Sequence, residues 1–330
     1  MRISFLGAGA WGTTMGIMLH EAGHDIRLWE INRERVQKLG FTHRLPGVLP
    51  GVRIPEKLLY TSEIREAVEG ADLLALAVPC QALRATLRLL VKNYEPPHHV
   101  VSLIKGLEVK TGARPTEVWL ERFPESEPCV VSGPSIALEV LQGQPTALVA
   151  AGRNAKSVEA AQKIFSFKNL RVYRSEDPVG VELGGALKNV IAIGCGIAEG
   201  LGSGTNTRAA LISRGLAEVT RLGEKMGANA RTFAGLAGWG DLVTTVWNPF
   251  SRNHRVGLAL AQGKALEAIL EELGMVAEGV ETCRVALKLG KKYGVEMPIT
   301  EAVYKVLFRQ ASPESQLKTL LSRPLKHEVW

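Results

Sequence analysis

Cysteine is scarce and scattered. Cys80, Cys129, Cys195 and Cys283 form no Cys-x-x-Cys pair and have no His at ligand spacing, so neither a zinc site nor a disulfide framework is expected, and all four read as reduced core or helix residues. The seven His are likewise read as holding no metal, with His98-His99 preceding a strand. Long apolar runs are also missing: Val190 to Ala198 falls far short of the roughly 20 residues that a bilayer span needs, so no membrane span is expected. Ile3 to Leu6 already reads as a buried strand, which leaves no place for a basic leader and makes the cytoplasm the expected location. Low-complexity tracts are absent too. Apolar residues at 46% and charged residues at 22% exclude a disordered chain. The formal charge of +7 is spread along the chain and not interleaved with aromatics, so nucleic acid is not expected as a partner, and anionic small-molecule ligands account for the excess equally well.

What is present is an alternation. With 330 residues and a soft prior of about 150 per domain, two domains are expected. Short β-rich runs at Arg2–Leu6, Asp25–Trp29, Asp72–Val78, Val100–Ile104, Cys129–Ser132, Thr146–Ala150 and Arg171–Tyr173 alternate with helical patterns, as in a mostly parallel sheet covered on both faces. From Asp177-Pro178 onward the pattern turns helical, with Asp as an N-cap and Pro in the first turn. Helices are expected over about 179–199, 206–226, 252–262, 278–292 and 299–309, with Gly263 and Gly294 as stops. The predicted fold is therefore α/β over 1–177 followed by an all-α domain over 178–330.

Gly7, Gly9 and Gly12 stand at G-x-G-x-x-G spacing between the first strand and the first helix. In a dinucleotide-binding, Rossmann-type unit the first permits the tight turn, the second lets a pyrophosphate approach the backbone and the third lets helix and strand close up. Glu30, at the end of the second strand, is placed to accept from a ribose 2′-hydroxyl and to repel a 2′-phosphate, which favours NAD. Arg33 and Arg35 follow closely and leave NADP open, because a guanidinium there pairs with a 2′-phosphate if Glu30 turns away.

In the segment Val181 to Gly196, Lys188 is the one Lys among apolar and small residues, leaning over Gly184 and Gly185. Two mid-helix glycines cost about 1 kcal/mol each relative to Ala, so space beside the Lys, for a substrate, is one reading. A desolvated ammonium with a lowered pKa suits proton exchange with a carbinol or carbonyl oxygen. The other reading is a close helix contact with Lys188 reaching a carboxylate such as Glu182. Asp241 either orients Lys188, sharing a face with Thr245, or simply caps a helix. Ser251-Arg252-Asn253 outlines a phosphate site at a helix start, or is an ordinary Ser cap followed by a solvated Arg. Ser132-Gly-Pro-Ser135 and Lys105 point at the carboxyl edge of the sheet.

Taken in order, Gly7-Ala-Gly-Ala-Trp-Gly12, Lys105-Gly-Leu-Glu108, Ser132-Gly-Pro-Ser135, Leu187 to Gly194, Ala237 to Leu242, Ser251-Arg-Asn253 and Glu296 to Thr300 give a chain that resembles bacterial NAD(P)-dependent glycerol-3-phosphate dehydrogenases over nearly its full length. The resemblance implies interconversion of sn-glycerol 3-phosphate and dihydroxyacetone phosphate, supplying glycerol phosphate for phospholipids. It implies that Lys188 is the acid/base, that Asn189, Asp241 and Thr245 orient it, and that Lys105 touches substrate and cofactor. It further implies a phosphate grip by Arg252 and Asn253, substrate contacts at Gly133, Ser135 and Ser251, and cofactor contacts at Ala10, Trp11, Ala137, Val276 and Glu278, with Arg252 also facing the cofactor. This chain departs from the family pattern at Glu30-Ile31, where Arg or His is usual beside the adenine ribose, and at Ile104 and Leu138.

Two other readings share many of these features. A hydroxy-acid dehydrogenase of the same two-domain plan also uses a helical Lys, and Arg252 is what separates it from an enzyme of phosphorylated substrates. A nicotinamide-binding sensor predicts cofactor binding without turnover. A homodimer is the expected assembly.

Overall fold

The computed structural model describes residues 1–90, 94–325 and 327–328. Eight strands form one sheet: β1 (Arg2–Leu6), β2 (Asp25–Trp29), β3 (Leu59–Thr61), β4 (Leu73–Leu76), β5 (His99–Ser102), β6 (Cys129–Ser132), β7 (Thr146–Ala151) and β8 (Leu170–Ser175). Their spatial order is β3-β2-β1-β4-β5-β6-β7-β8, and every neighbouring pair is parallel except β6 with β7. Successive side chains of a strand point to opposite faces. Ile3 and Phe5 of β1 and Leu73 and Ala75 of β4 accordingly enter one core, whereas Leu6, Leu74 and Leu76 enter the other with Trp119. Burial on both faces explains why these strands read as unbroken apolar runs.

The order of the strands reverses between β1 and β4, and the loops that follow their carboxyl ends open the crevice where ligands of such sheets bind. The loop after β1 carries Gly7 of the sequence motif, and the loop after β4 carries Pro79-Cys80.

Beyond Ser175 the described chain is helical. Asp177 caps the helix Pro178–Gly200 by accepting from the Gly180 amide at 2.8 Å, and Pro178 supplies the first turn. This helix is apolar on every side, so it is enclosed on every side. Helices Thr205–Lys225, Asp241–Trp247, Arg252–Ala261, Glu278–Tyr293 and Pro298–Arg309 all pack against it. Measured as a helix, and not as the apolar run Val190 to Ala198, it is long and apolar enough to cross a membrane; 94% of its apolar window is nevertheless buried inside the protein, as expected of a core helix.

Some boundaries differ from the sequence reading. β3 was not expected, being three residues at the sheet edge that pair only with β2. β4 is shorter than the run Asp72–Val78 that contains it, and β5 is shifted from the expected Val100–Ile104, beginning at His99 and ending at Ser102. His20 and His24 lie four apart, but the helix Ala10–Glu21 ends between them and Gly23 turns the chain at φ +90°, so they do not share a helix face. No group of three metal-ligating side chains occurs among the described residues. Short helices at Ala230–Phe233, Leu266–Leu273 and Pro313–Leu321 were not anticipated, because four- to nine-residue amphipathic segments leave too few periods to read.

Candidate active site

The glycine-rich turn takes the form its spacing predicts. Gly7 adopts φ +119°, and a methyl group there would stand 2.6 Å from the Ala77 backbone of the neighbouring strand's loop. A methyl on Gly12 would meet the Gly7 carbonyl oxygen at 2.2 Å, so this glycine lets helix and strand close up. Gly9, by contrast, faces open space. It is the N-cap of helix Ala10–Glu21 and offers no side-chain cap, which leaves first-turn amides of Ala10, Trp11 and Gly12 for an anion.

Glu30 lies buried just past β2. Its carboxylate accepts from the Asn32 amide at 3.2 Å and pairs with Arg35 at 3.0 Å, while the Arg35 guanidinium also donates to the Ala8 carbonyl within the glycine turn at 3.3 Å. Arg33 is turned elsewhere and pairs with Glu63 at 2.8 Å on the surface.

Across the crevice, Lys188 is 7% exposed and Asp241 1%. The Lys188 ammonium donates to Asp241 Oδ1 at 2.8 Å and to the Thr245 hydroxyl, which itself donates to the Asp241 carbonyl at 2.7 Å. Asp241 Oδ2 accepts from Lys105 at 2.7 Å, and Lys105 reaches the Gly133 carbonyl and the Ser135 hydroxyl, each at 2.9 Å. Loops after β5 and β6 thus meet the helical half on one carboxylate. Burial draws the Lys188 ammonium down to about 8, with Lys105 adding to the effect and Asp241 opposing it. One carboxylate between two ammonium groups leaves a net positive site in low dielectric, which suits an anionic substrate.

Two sequence alternatives are thereby decided. Glu182 does not meet Lys188; it accepts from Arg114 and from the amide and hydroxyl of Thr116 at 2.6, 2.9 and 2.6 Å. Asp241 does not cap its helix, whose N-cap is Gly240. Of the two readings of Gly184 and Gly185, the structure shows close approach and not open space: a methyl on Gly184 would meet the Ala237 carbonyl oxygen at 2.6 Å, and one on Gly185 would meet Ser132 Oγ at 2.8 Å with the Lys105 chain beyond. These glycines admit the Leu236–Gly240 turn and Lys105 rather than a substrate. That π-helical turn, which delivers Asp241, left no signal beyond its glycines.

Asn189 accepts from Asn253 at 2.9 Å, and Asn253 in turn accepts from the Gly279 amide at 3.0 Å, so the two amides lock three helices together. Ser251 caps helix Arg252–Ala261. Arg252 stands at the exposed end of that helix and donates to the Val276 carbonyl at 2.6 Å. Glu278 accepts from the Cys80 amide at 3.0 Å, joining the helical half to the loop after β4, while its other carboxylate oxygen is buried without a hydrogen-bond partner among the described residues. That orphaned oxygen and the glycine cradle fit a dinucleotide laid along the carboxyl edge of the sheet. Ala137 opens the short helix Ala137–Leu141 beside the same edge.

A mostly parallel sheet with a glycine-rich turn after its first strand, closed by a helical half that presents a buried Lys–Asp pair, defines the class of nicotinamide-dependent dehydrogenases. Residues 2–158 match the family described as NAD-dependent glycerol-3-phosphate dehydrogenase N-terminus, and residues 177–318 match the corresponding C-terminus. Among curated relatives, the glycerol-3-phosphate dehydrogenase (NAD(P)+) of Geobacter sulfurreducens is 46% identical over 100% of this chain and 99% of its own length. That of Bacillus velezensis is 42% identical over 99% and 96%. The crystal structure of glycerol-3-phosphate dehydrogenase from Coxiella burnetii superposes with a TM-score of 0.94 at 34% identity, covering 98% of this chain and 99% of the other. The chain belongs to the NAD-dependent glycerol-3-phosphate dehydrogenase family. A D-mandelate dehydrogenase shares the fold alone, with a TM-score of 0.64 at 17% identity.

Proposed function

We propose that residues 1–177 hold the dinucleotide and residues 178–330 the substrate, and that Lys188 is the proton donor and acceptor of the reaction. The enzyme interconverts sn-glycerol 3-phosphate and dihydroxyacetone phosphate with NAD(P). The observation that carries the residue assignment is the buried Lys188 ammonium, held on Asp241 and Thr245 and brought down to about 8. When bound, the nicotinamide supplies or accepts the hydride at the substrate's central carbon. In reduction the Lys188 ammonium donates a proton to the oxygen of that carbon; in oxidation the neutral amine takes it back. Lys105 holds the other oxygen of Asp241 and, with Ser135 and Gly133, forms the wall facing the sheet. Asn189 fixes Asn253, which together with Ser251 and Arg252 at a helix start offers hydrogen-bond donors to the phosphate.

Gly7, Gly9, Ala10, Trp11, Gly12, Ala137, Val276 and Glu278 form the proposed cofactor seat, with Glu30 favouring NAD over NADP. Arg33, committed to Glu63, joins this seat only after leaving that partner. A cytoplasmic homodimer completes the reading, supported by exposed apolar side chains such as Phe250 and Leu321 on the helical half; sedimentation velocity tests it. The decisive assay is oxidation of NADH and of NADPH, side by side, with dihydroxyacetone phosphate. Turnover of both with NADH preferred is the expected result, and turnover with a non-phosphorylated 2-keto acid instead would overturn the assignment.

A further inference from the structure

The pair formed by Glu30 and Arg35 is built over the glycine turn itself, and this proposal rests on that turn being the dinucleotide seat. Glu30 is 9% exposed and fixed from two sides, by the Asn32 amide and by Arg35. An ionised carboxylate has about four lone-pair sites, so two remain for the hydroxyls of a ribose. Arg35 is one-third exposed and bridges Glu30 and the Ala8 carbonyl. It is therefore held at the seat before any ligand arrives. Arg33, two residues earlier, is spent on Glu63 and stands three-quarters exposed.

We infer that Arg35 is the residue that reads the 2′ position of the adenosine ribose, with Glu30 as the carboxylate that a 2′-phosphate must displace from it. With a 2′-hydroxyl the ion pair stays intact and Glu30 accepts from the ribose. With a 2′-phosphate the dianion takes over the guanidinium, and Glu30 is left facing a like charge without its counter-ion. The cost of that exchange sets the preference, and the presence of Arg35 keeps the second cofactor usable. Sequence spacing alone left Arg33 and Arg35 equivalent; the carbonyl of Ala8 and the carboxylate of Glu63 separate them.

The test is binding, read by calorimetry with ADP and 2′,5′-ADP, neither of which carries a nicotinamide. Glu30→Gln is expected to tighten 2′,5′-ADP by about tenfold or more while changing ADP less, since one charge-assisted contact is freed and one repulsion removed. Adding Arg35→Gln to that variant should abolish the gain, and adding Arg33→Gln instead should preserve it. A gain that survives the loss of Arg35, a gain lost with Arg33, or no gain at all in Glu30→Gln each overturns the inference. A wild-type protein that binds neither ligand overturns the dinucleotide seat as well, which separates the two failures.

Discussion

Lys188 is where burial and charge compete most directly. Desolvation lowers its affinity for a proton, the ammonium of Lys105 lowers it further, and Asp241 at 2.8 Å raises it without winning. The sign follows. In the role proposed for Lys188, the proton donor for ketone reduction is present below about 8 and is lost as pH rises through that value, whereas alcohol oxidation gains its base over the same range. The pH profile of kcat in the two directions should therefore show opposite limbs near 8. Asp241→Asn removes the carboxylate that favours the ammonium, so the limb for reduction should move to lower pH; an unmoved limb would assign it to another group. Lys188→Ala should lower kcat by about a hundred- to ten-thousandfold while NADH binding is retained. Arg252→Ala should instead raise the KM for dihydroxyacetone phosphate by about tenfold or more with a smaller change in kcat, as fits loss of a charge-assisted bond to phosphate.

At the scale of elements, the helix Pro298–Arg309 is started by a residue from another helix. Pro298 occupies the first turn, and the amides of Ile299 and Thr300 donate to the buried carboxylate of Glu218 at 2.6 and 3.1 Å, with the Thr300 hydroxyl adding a third bond at 3.1 Å. Burial raises this carboxyl to about 7, and those three bonds oppose the rise. A raised folded pKa means that the folded protein binds more protons than the unfolded chain between about 4.3 and that value, so this group's contribution falls as pH rises through the window. Glu218→Gln should remove that slope. The drop in Tm between pH 5 and pH 7.5 should be smaller in the variant than in the wild type, and an equal drop would show that the carboxyl titrates normally. The motif Glu296-Met-Pro-Ile-Thr300 was legible as a stretch of sequence, but its capping partner lies some eighty residues earlier and only packing brings the two together.

For the whole molecule, the ties between the two halves include three that flank the site. Arg114 meets Glu182 at 2.6 Å at the start of the lysine helix, Lys105 meets Asp241 at its middle, and Cys80 meets Glu278 at the cofactor edge. Burial lifts the Glu182 carboxyl against the pull of Arg114 and Thr116, so the pair is costly to leave half-made. Glu182→Gln should cost on the order of 3 kcal/mol in urea unfolding, because the Arg114 guanidinium stays buried with only the half-exposed Glu117 as counter-charge. A loss below about 1 kcal/mol would mean that Glu117 suffices.

The sequence by itself determined the alternation of strands and helices, the point near Asp177-Pro178 where it stops, and the glycine-rich turn after the first strand. Each of these depends on residues close together in the chain: periodicity, caps and glycine spacing act over one turn or one strand. The motifs also singled out Lys188, Asp241, Thr245 and Lys105, and those side chains do meet. Only the tertiary structure decided which partner each one takes. Whether Asp241 caps a helix or holds two lysines, whether Gly184 makes room for substrate or for the Ala237 backbone, and whether Arg33 or Arg35 pairs with Glu30 are questions of which distant groups share a buried space. Those contacts join residues separated by up to about two hundred positions, and no local pattern encodes them.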